Sequence, residues 1–210
     1  MRAGLQGFAE HEVLELILTL AIPRRDVKPQ AKDLLEKFGS VRGVLDAPRE
    51  RLRSVEGIGD VAITALGIIK AVAEVYVRQG IESSSGRPLL SDLSPLWQMR
   101  IGGLPYEVFE VAYLDSKLQL IPDGVERMAE GTIDRAAVYS RRVMEAAVNR
   151  HAAALVFAHN HPNGIAEPSE QDKLLTRSLV LAAQTLEIKV IDHIIVTDKA
   201  VFSFRKEGLL

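Results

Sequence analysis

His159-Asn160-His161-Pro162, followed after a short loop by Ser169 and Asp172, is the stretch that decides the fold and the chemistry to expect. Just before it, Ala154-Leu155-Val156-Phe157-Ala158 is an apolar run with strand-forming Val and Phe. Alternate residues of a strand share a face, so His159 and His161 at its end point the same way and both imidazoles can reach one metal. Pro162, Gly164 and Pro168 then break regular structure, and Ser169-Glu170-Gln171-Asp172 opens a helical pattern over residues 173–186. The intervening loop can fold Asp172 back toward the histidine pair.

Catalytic zinc typically has three protein ligands of N or O type and keeps a further position for water, which His159, His161 and Asp172 would satisfy with one Zn2+ per chain. Such a metal lowers the pKa of its bound water from about 15.7 toward roughly 7. A plainer reading runs beside this one. Ser169-x-x-Asp172 before an apolar helix is also a capping box, and a His-x-His pair at a strand end is often polar surface. Their joint occurrence around one loop favours the metal, because capping alone has no need of the histidines.

The same residues carry a family resemblance. His159-x-His161-Pro162, seven residues counted from Pro162 to Pro168, then Ser169-x-x-Asp172, resembles the JAMM (MPN-plus) metalloprotease motif. The longer string from His159-Asn160-His161-Pro162-Asn163-Gly164 through Pro168-Ser169-x-x-Asp172, with Asp192-His193-Ile194-Ile195 downstream, is similar to the bacterial RadC family more narrowly. Leu104-Pro105-Tyr106-Glu107 leading to Asp115 looks like the first strand of that family's C-terminal domain, and Gly131-Thr132 like its following turn. The resemblance implies that Glu107 is the general base, holding the water and passing its proton to the leaving amine. Glu110 competes for that part. A spacing of three in a strand puts the two on opposite faces, so only one can face the metal. Ser169 would, by the same likeness, hydrogen-bond the oxyanion of the tetrahedral intermediate. Val138-Tyr139-Ser140-Arg141-Arg142 departs from the family pattern in lacking a proline and a glutamate, which leaves the start of a helix near Ser140 open.

Composition bounds the rest. A chain of 210 residues with 47% apolar content buries one or two ordinary cores without staples. With no cysteine, disulfides and thiolate ligands are excluded and any zinc must sit on His and carboxylate. No apolar stretch reaches the roughly 18 residues of a membrane span, and the start of the chain does not read as a signal sequence. The expectation is therefore a cytoplasmic protein without a membrane partner.

Gly80-Ile81-Glu82-Ser83-Ser84-Ser85-Gly86-Arg87-Pro88 reads as a break in helical periodicity. Two domains are expected, 1–80 and 93–210, joined by a linker at 81–92. Helical spacing of apolar residues covers 10–20 and 27–38, with a short third helix at 48–55. Val55-Glu56-Gly57-Ile58-Gly59-Asp60 then leads into a helix extending to about residue 78. This segment resembles a helix-hairpin-helix motif, which the RadC family shares. There Gly57 and Gly59 would expose backbone amides to a DNA phosphate. Residues 1–80 hold 12 Lys and Arg against 11 Asp and Glu, a balance unlike the basic footprint of most phosphate binders. A glycine turn that merely packs two helices fits the same residues. Arg49, Arg51 and Arg53 are the nearest cations for a phosphate.

Asp192 or His193, in an apolar strand, can orient a metal ligand or simply be a satisfied strand residue. His11 and His151 have no partners that sequence identifies. Trp97 and the scattered Phe and Tyr residues lack the interleaving with cations of a single-strand binding groove. The reading is thus an α/β (α+β) cytidine-deaminase-like JAMM/MPN domain with a mixed sheet, preceded by a small all-α helix-hairpin-helix-like domain. The function that the resemblance implies is zinc-dependent hydrolysis of a peptide or isopeptide bond in a peptide or protein substrate. One alternative is a non-catalytic DNA-associated adaptor of the RadC type, with a role in repair or recombination. A metal-dependent nuclease is the third, although such sites commonly use two metals in carboxylate-rich shells.

Overall fold

The computed structural model describes residues 4, 5, 7–83, 89–131 and 136–210. The chain divides into two compact units, Met1–Val75 and Tyr76–Leu210. In the first unit, helices α1 (Glu10–Ala21), α2 (Lys28–Phe38), α3 (Val41–Asp46) and α4 (Arg49–Arg53) precede α5 (Asp60–Ser83), within which the division falls. Their apolar faces close on a core that includes Leu14, Leu18, Leu34, Val44 and Leu66. The turn before α5 is built on glycine: Gly57 has φ +80, and a Cβ there would lie 2.8 Å from the Gln30 side chain. Ile58 beside it is buried and plugs the core.

The second unit contains α6 (Leu89–Arg100), β1 (Val108–Leu114), β2 (Leu120–Glu130), α7 (Ala136–Asn149), β3 (Ala154–Asn160), α8 (Glu170–Gln184), β4 (Lys189–Val196) and β5 (Val201–Ser203). The sheet order is β2-β1-β3-β4-β5. All neighbours are antiparallel except β3 and β4, which run parallel and are joined through α8, so the sheet is mixed. Strand alternation explains the layers. Val108, Ala112 and Leu114 of β1 pack with Val156 and Ala158 of β3 against Leu96 and Trp97 of α6. Phe109, Val111 and Tyr113 face the other way with Phe157, onto Val143 of α7 and Leu175 and Leu179 of α8. Covered on both faces, β1 and β3 are buried along their whole lengths, which is why their sequences are near-continuous apolar runs.

Several elements depart from the sequence expectations. Strand β2 is hidden by Pro122-Asp123-Gly124, which sit in an irregularity where the pairing jumps from Ala112↔Val125 to Leu114↔Leu120. Helix α3 is too short for periodicity to show, and its Ser40 cap accepts the amide of Gly43. Helix α5 runs on to Ser83 and α6 begins at Leu89, both inside the expected linker, whose residues 84–88 lie outside the described residues. Thr132 of the expected turn also lies outside them. Helix α7 starts at Ala136 rather than near Ser140. Among the described residues, no helix is long and apolar enough to cross a membrane.

Candidate metal centre

Strand β3 ends in His159 and Asn160, and His161 follows it. His159 lies on the α8 face of the sheet, where burial leaves it 1% exposed. Asp172 arrives from the first turn of α8. The His159, His161 and Asp172 ligand atoms all fall within 4.8 Å of one another. His159 Nε2 is 3.0 Å from His161 Nε2 and 3.2 Å from Asp172 Oδ1, while His161 Nε2 is 3.4 Å from Asp172 Oδ2.

Ser169 and Asp172 do form the capping box: the Ser169 hydroxyl accepts the Asp172 amide, and the Asp172 carboxylate accepts the Ser169 amide at 2.7 Å. The Ser169 hydroxyl also donates to Asp172 Oδ2 at 2.6 Å. The cap and the cluster are thus one construction, because the box is what turns the carboxylate toward the histidines. Burial works to raise the Asp172 pKa, but the hydrogen bonds that His159 and His161 donate to it when Nε2 carries a proton, with one from Ser169, hold it well below the usual carboxylate range. The His161 pKa is raised chiefly by its hydrogen bond to Asp172, against burial, with smaller help from the Glu107 charge.

Whether these residues suit a metal turns on their other nitrogens. His161 Nδ1 lies 2.8 Å from the Ile165 carbonyl, which can only accept, so in the neutral ring the proton sits on Nδ1 and the Nε2 lone pair faces the cluster. The two imidazole Nε2 atoms lie 3.0 Å apart and each faces a different oxygen of the same carboxylate, His159 meeting Asp172 Oδ1 at 3.2 Å and His161 meeting Oδ2 at 3.4 Å, spacings comparable with the edge of about 3.3 Å of a tetrahedron with bonds of 2.0–2.1 Å. The donor set therefore fits a divalent cation with N and O preference.

Residues 90–209 match the family described as the RadC-like JAB domain. Over its whole length the chain is 39% identical to a UPF0758 protein of Rhodobacter capsulatus, covering 97% of that protein. It is 38% identical to a UPF0758 protein of Ruegeria pomeroyi, covering 93% of it, and 35% identical to one of Fusobacterium nucleatum, covering 91%. The chain belongs to the RadC family. The resemblance carried by the His159 to Asp172 stretch is thereby borne out.

In this RadC family member the two glutamates separate by face. Glu110 is fully buried on the α6 side, where Arg100 grips it through two hydrogen bonds, Nε to Oε2 at 2.9 Å and Nη2 to Oε1 at 3.1 Å, and Arg127 approaches at 3.3 Å. Glu107 is half-buried just before β1 and is near enough to His161 to act on its charge.

Two residues outside the ligand set support the site, and of these the sequence reading missed Asn160. Asn160 Oδ1 accepts the Val108 amide at 2.7 Å, and Nδ2 donates to the Tyr106 carbonyl at 2.9 Å and the Leu104 carbonyl at 3.4 Å. The residue between the two histidines thus holds the segment that carries Glu107. His193, which the sequence leaves open as either a residue that orients a metal ligand or a satisfied strand residue, has Nε2 2.8 Å from His159 Nδ1. Burial pushes its pKa well below the usual imidazole value, with the His159 charge adding to the effect. Asp192 points elsewhere: it accepts from Ser203 Oγ at 2.5 Å and from the Arg205 amide at 2.9 Å, tying β4 to β5.

In the other unit, Arg53 and Arg49 both turn to Asp60, and Arg51 lies over the Phe38 ring at 5.3 Å. His11 sits 3.9 Å from Glu15 on the same helix.

Proposed function

We propose that this protein is a zinc-dependent hydrolase of the JAMM type, cleaving amide or isopeptide bonds on a cytidine-deaminase-like α/β domain. The observation that carries the reading is the buried convergence of His159 Nε2, His161 Nε2 and the Asp172 carboxylate within 4.8 Å. Zinc bound there would supply a Lewis acid and a water of lowered pKa. The Glu107 carboxylate would take the proton of the attacking water and hand it to the leaving amine. Ser169 would turn its hydroxyl from Asp172 Oδ2 to the developing oxyanion, a contribution typically worth about a hundredfold to a thousandfold in rate. That the chain works in the cytoplasm, and that residues 1–80 form a helix-hairpin-helix module for sequence-independent DNA contact, are further parts of the proposal. The adaptor alternative has less support, since an adaptor has no need of a three-ligand site.

Elemental analysis of untagged protein tests the metal. One zinc per chain, lost in His159→Ala, is the expected result. Zinc-loaded protein is then assayed on peptide and isopeptide libraries, with cleavage expected to disappear in Glu107→Gln. No bound metal, even after zinc is supplied, would move the assignment to the adaptor.

A further inference from the structure

A buried chain of hydrogen bonds leaves the metal cluster from one side and returns to it from another. Thr176, one turn after Asp172 on α8, has Oγ 2.6 Å from the Asp172 backbone carbonyl. A carbonyl can only accept, so the hydroxyl proton lies there and the oxygen lone pairs remain for other donors. His193 Nδ1 is 2.6 Å from that same Oγ and therefore donates to it. In the neutral ring this leaves Nε2 as an acceptor, and it lies 2.8 Å from His159 Nδ1. His159 must then carry its proton on Nδ1, which turns the bare Nε2 toward His161 and Asp172.

The surroundings sharpen the point. His193 is fully buried, stacked on Phe204 at 4.8 Å and edge-on to Phe109 and Phe157. An apolar side chain would fill such a shell at lower cost, since a buried imidazole is tolerated only with both nitrogens satisfied. Thr176 and His159 satisfy them, and the direction of each bond is set from the helix backbone outward.

We propose that Thr176 and His193 are positioning residues that fix the tautomer and orientation of His159, presenting its Nε2 lone pair to the metal. The inference rests on the zinc reading above and adds that metal affinity is tuned from Thr176 of α8, one turn beyond Asp172. Loss of such an outer partner typically weakens metal binding 10- to 100-fold.

The test is Zn2+ affinity of the untagged full chain near neutral pH, by competition with a chromophoric chelator, together with the visible spectrum of the Co2+-loaded protein. His193→Leu and Thr176→Val are expected to bind Zn2+ 10- to 100-fold more weakly than wild type. His193→Gln, whose carboxamide can accept from His159 and donate to Thr176, is expected to stay within a few-fold and to keep the Co2+ spectrum. Melting of the metal-free proteins reports folding. Should His193→Leu fail to fold, Thr176→Val carries the comparison. Wild-type affinity in the folded variants that remove a bond, or equal loss in His193→Gln and His193→Leu, would overturn this inference alone. A wild-type chain that takes up no metal would overturn both it and the zinc reading.

Discussion

The carboxamide of Asn160 spans Glu107: it accepts the amide of Val108 at 2.7 Å and donates to the carbonyl of Tyr106 at 2.9 Å, the residues on either side of the glutamate. Asn160 and Val108 are both fully buried. Truncation to Ala therefore strands the Val108 N–H without water, at about 1–3 kcal/mol per unsatisfied group. Asn160→Ala is expected to lose roughly 2–4 kcal/mol of stability while keeping its metal stoichiometry. An unchanged denaturant midpoint would show that the clamp is energetically idle.

Glu110 and Glu107 should separate cleanly by experiment. Removing the Glu110 charge leaves Arg100 and Arg127, 21% and 36% exposed, facing a neutral group in a buried position. Breaking a fully buried pair costs about 3–5 kcal/mol, and partial exposure of the arginines brings the expected loss for Glu110→Gln to roughly 2–3 kcal/mol. Glu107→Gln should melt like wild type, hold the same metal and lack hydrolysis. The reverse pattern would exchange the two assignments.

The contrast between these glutamates also shows what the sequence makes legible. Strand alternation alone says that positions 107 and 110 face opposite sides, and the motif spacing brings out His159, His161 and Asp172, because ligand spacing is a local property. What stays hidden is non-local. Nothing near Asn160 indicates that its partners lie some 50 residues upstream at Tyr106 and Val108, and nothing near His193 indicates that Thr176 and His159 meet it across α8 and β3. Strand β2 is obscured for another reason: Pro122, Asp123 and Gly124 are poor strand formers, tolerated here because they occupy an irregular stretch of an edge strand.

Chelator-treated protein should show a stability maximum near the ordinary imidazole pKa of about 6.5. His161 has a raised folded pKa, so its contribution is full below about 6.5 and is lost as pH rises through that raised value. His193 has a lowered folded pKa, so its contribution is present above about 6.5 and is lost as pH falls. Asp172 adds a further loss only in strong acid, as pH drops below the ordinary carboxylate value of about 3.9. Zinc competes with the His161 proton, so adding it should remove the decline above pH 6.5. Melting temperatures measured across this range, with and without zinc, check both limbs. A metal-free protein whose melting temperature climbs steadily to pH 8 would contradict the His161 shift.

Asp60 gives the proposed DNA contact of the glycine hairpin its test. It stands in the first turn of α5, and Arg53 and Arg49 converge on it with side chains 59% and 57% exposed. Exposed pairs of this kind contribute about 0–1 kcal/mol, so Asp60→Asn should melt within roughly 1 kcal/mol of wild type. The same change removes one of the two negative charges, Glu56 and Asp60, that flank the hairpin and frees two guanidinium groups. If Gly57 and Gly59 lie against a phosphate, the variant binds duplex DNA more tightly than wild type. Arg53→Gln should bind less tightly, its salt slope falling by about 0.9 for each phosphate that it no longer neutralises. Identical titrations for all three proteins would remove DNA binding from the proposed function and leave the hairpin as a packing turn around Ile58.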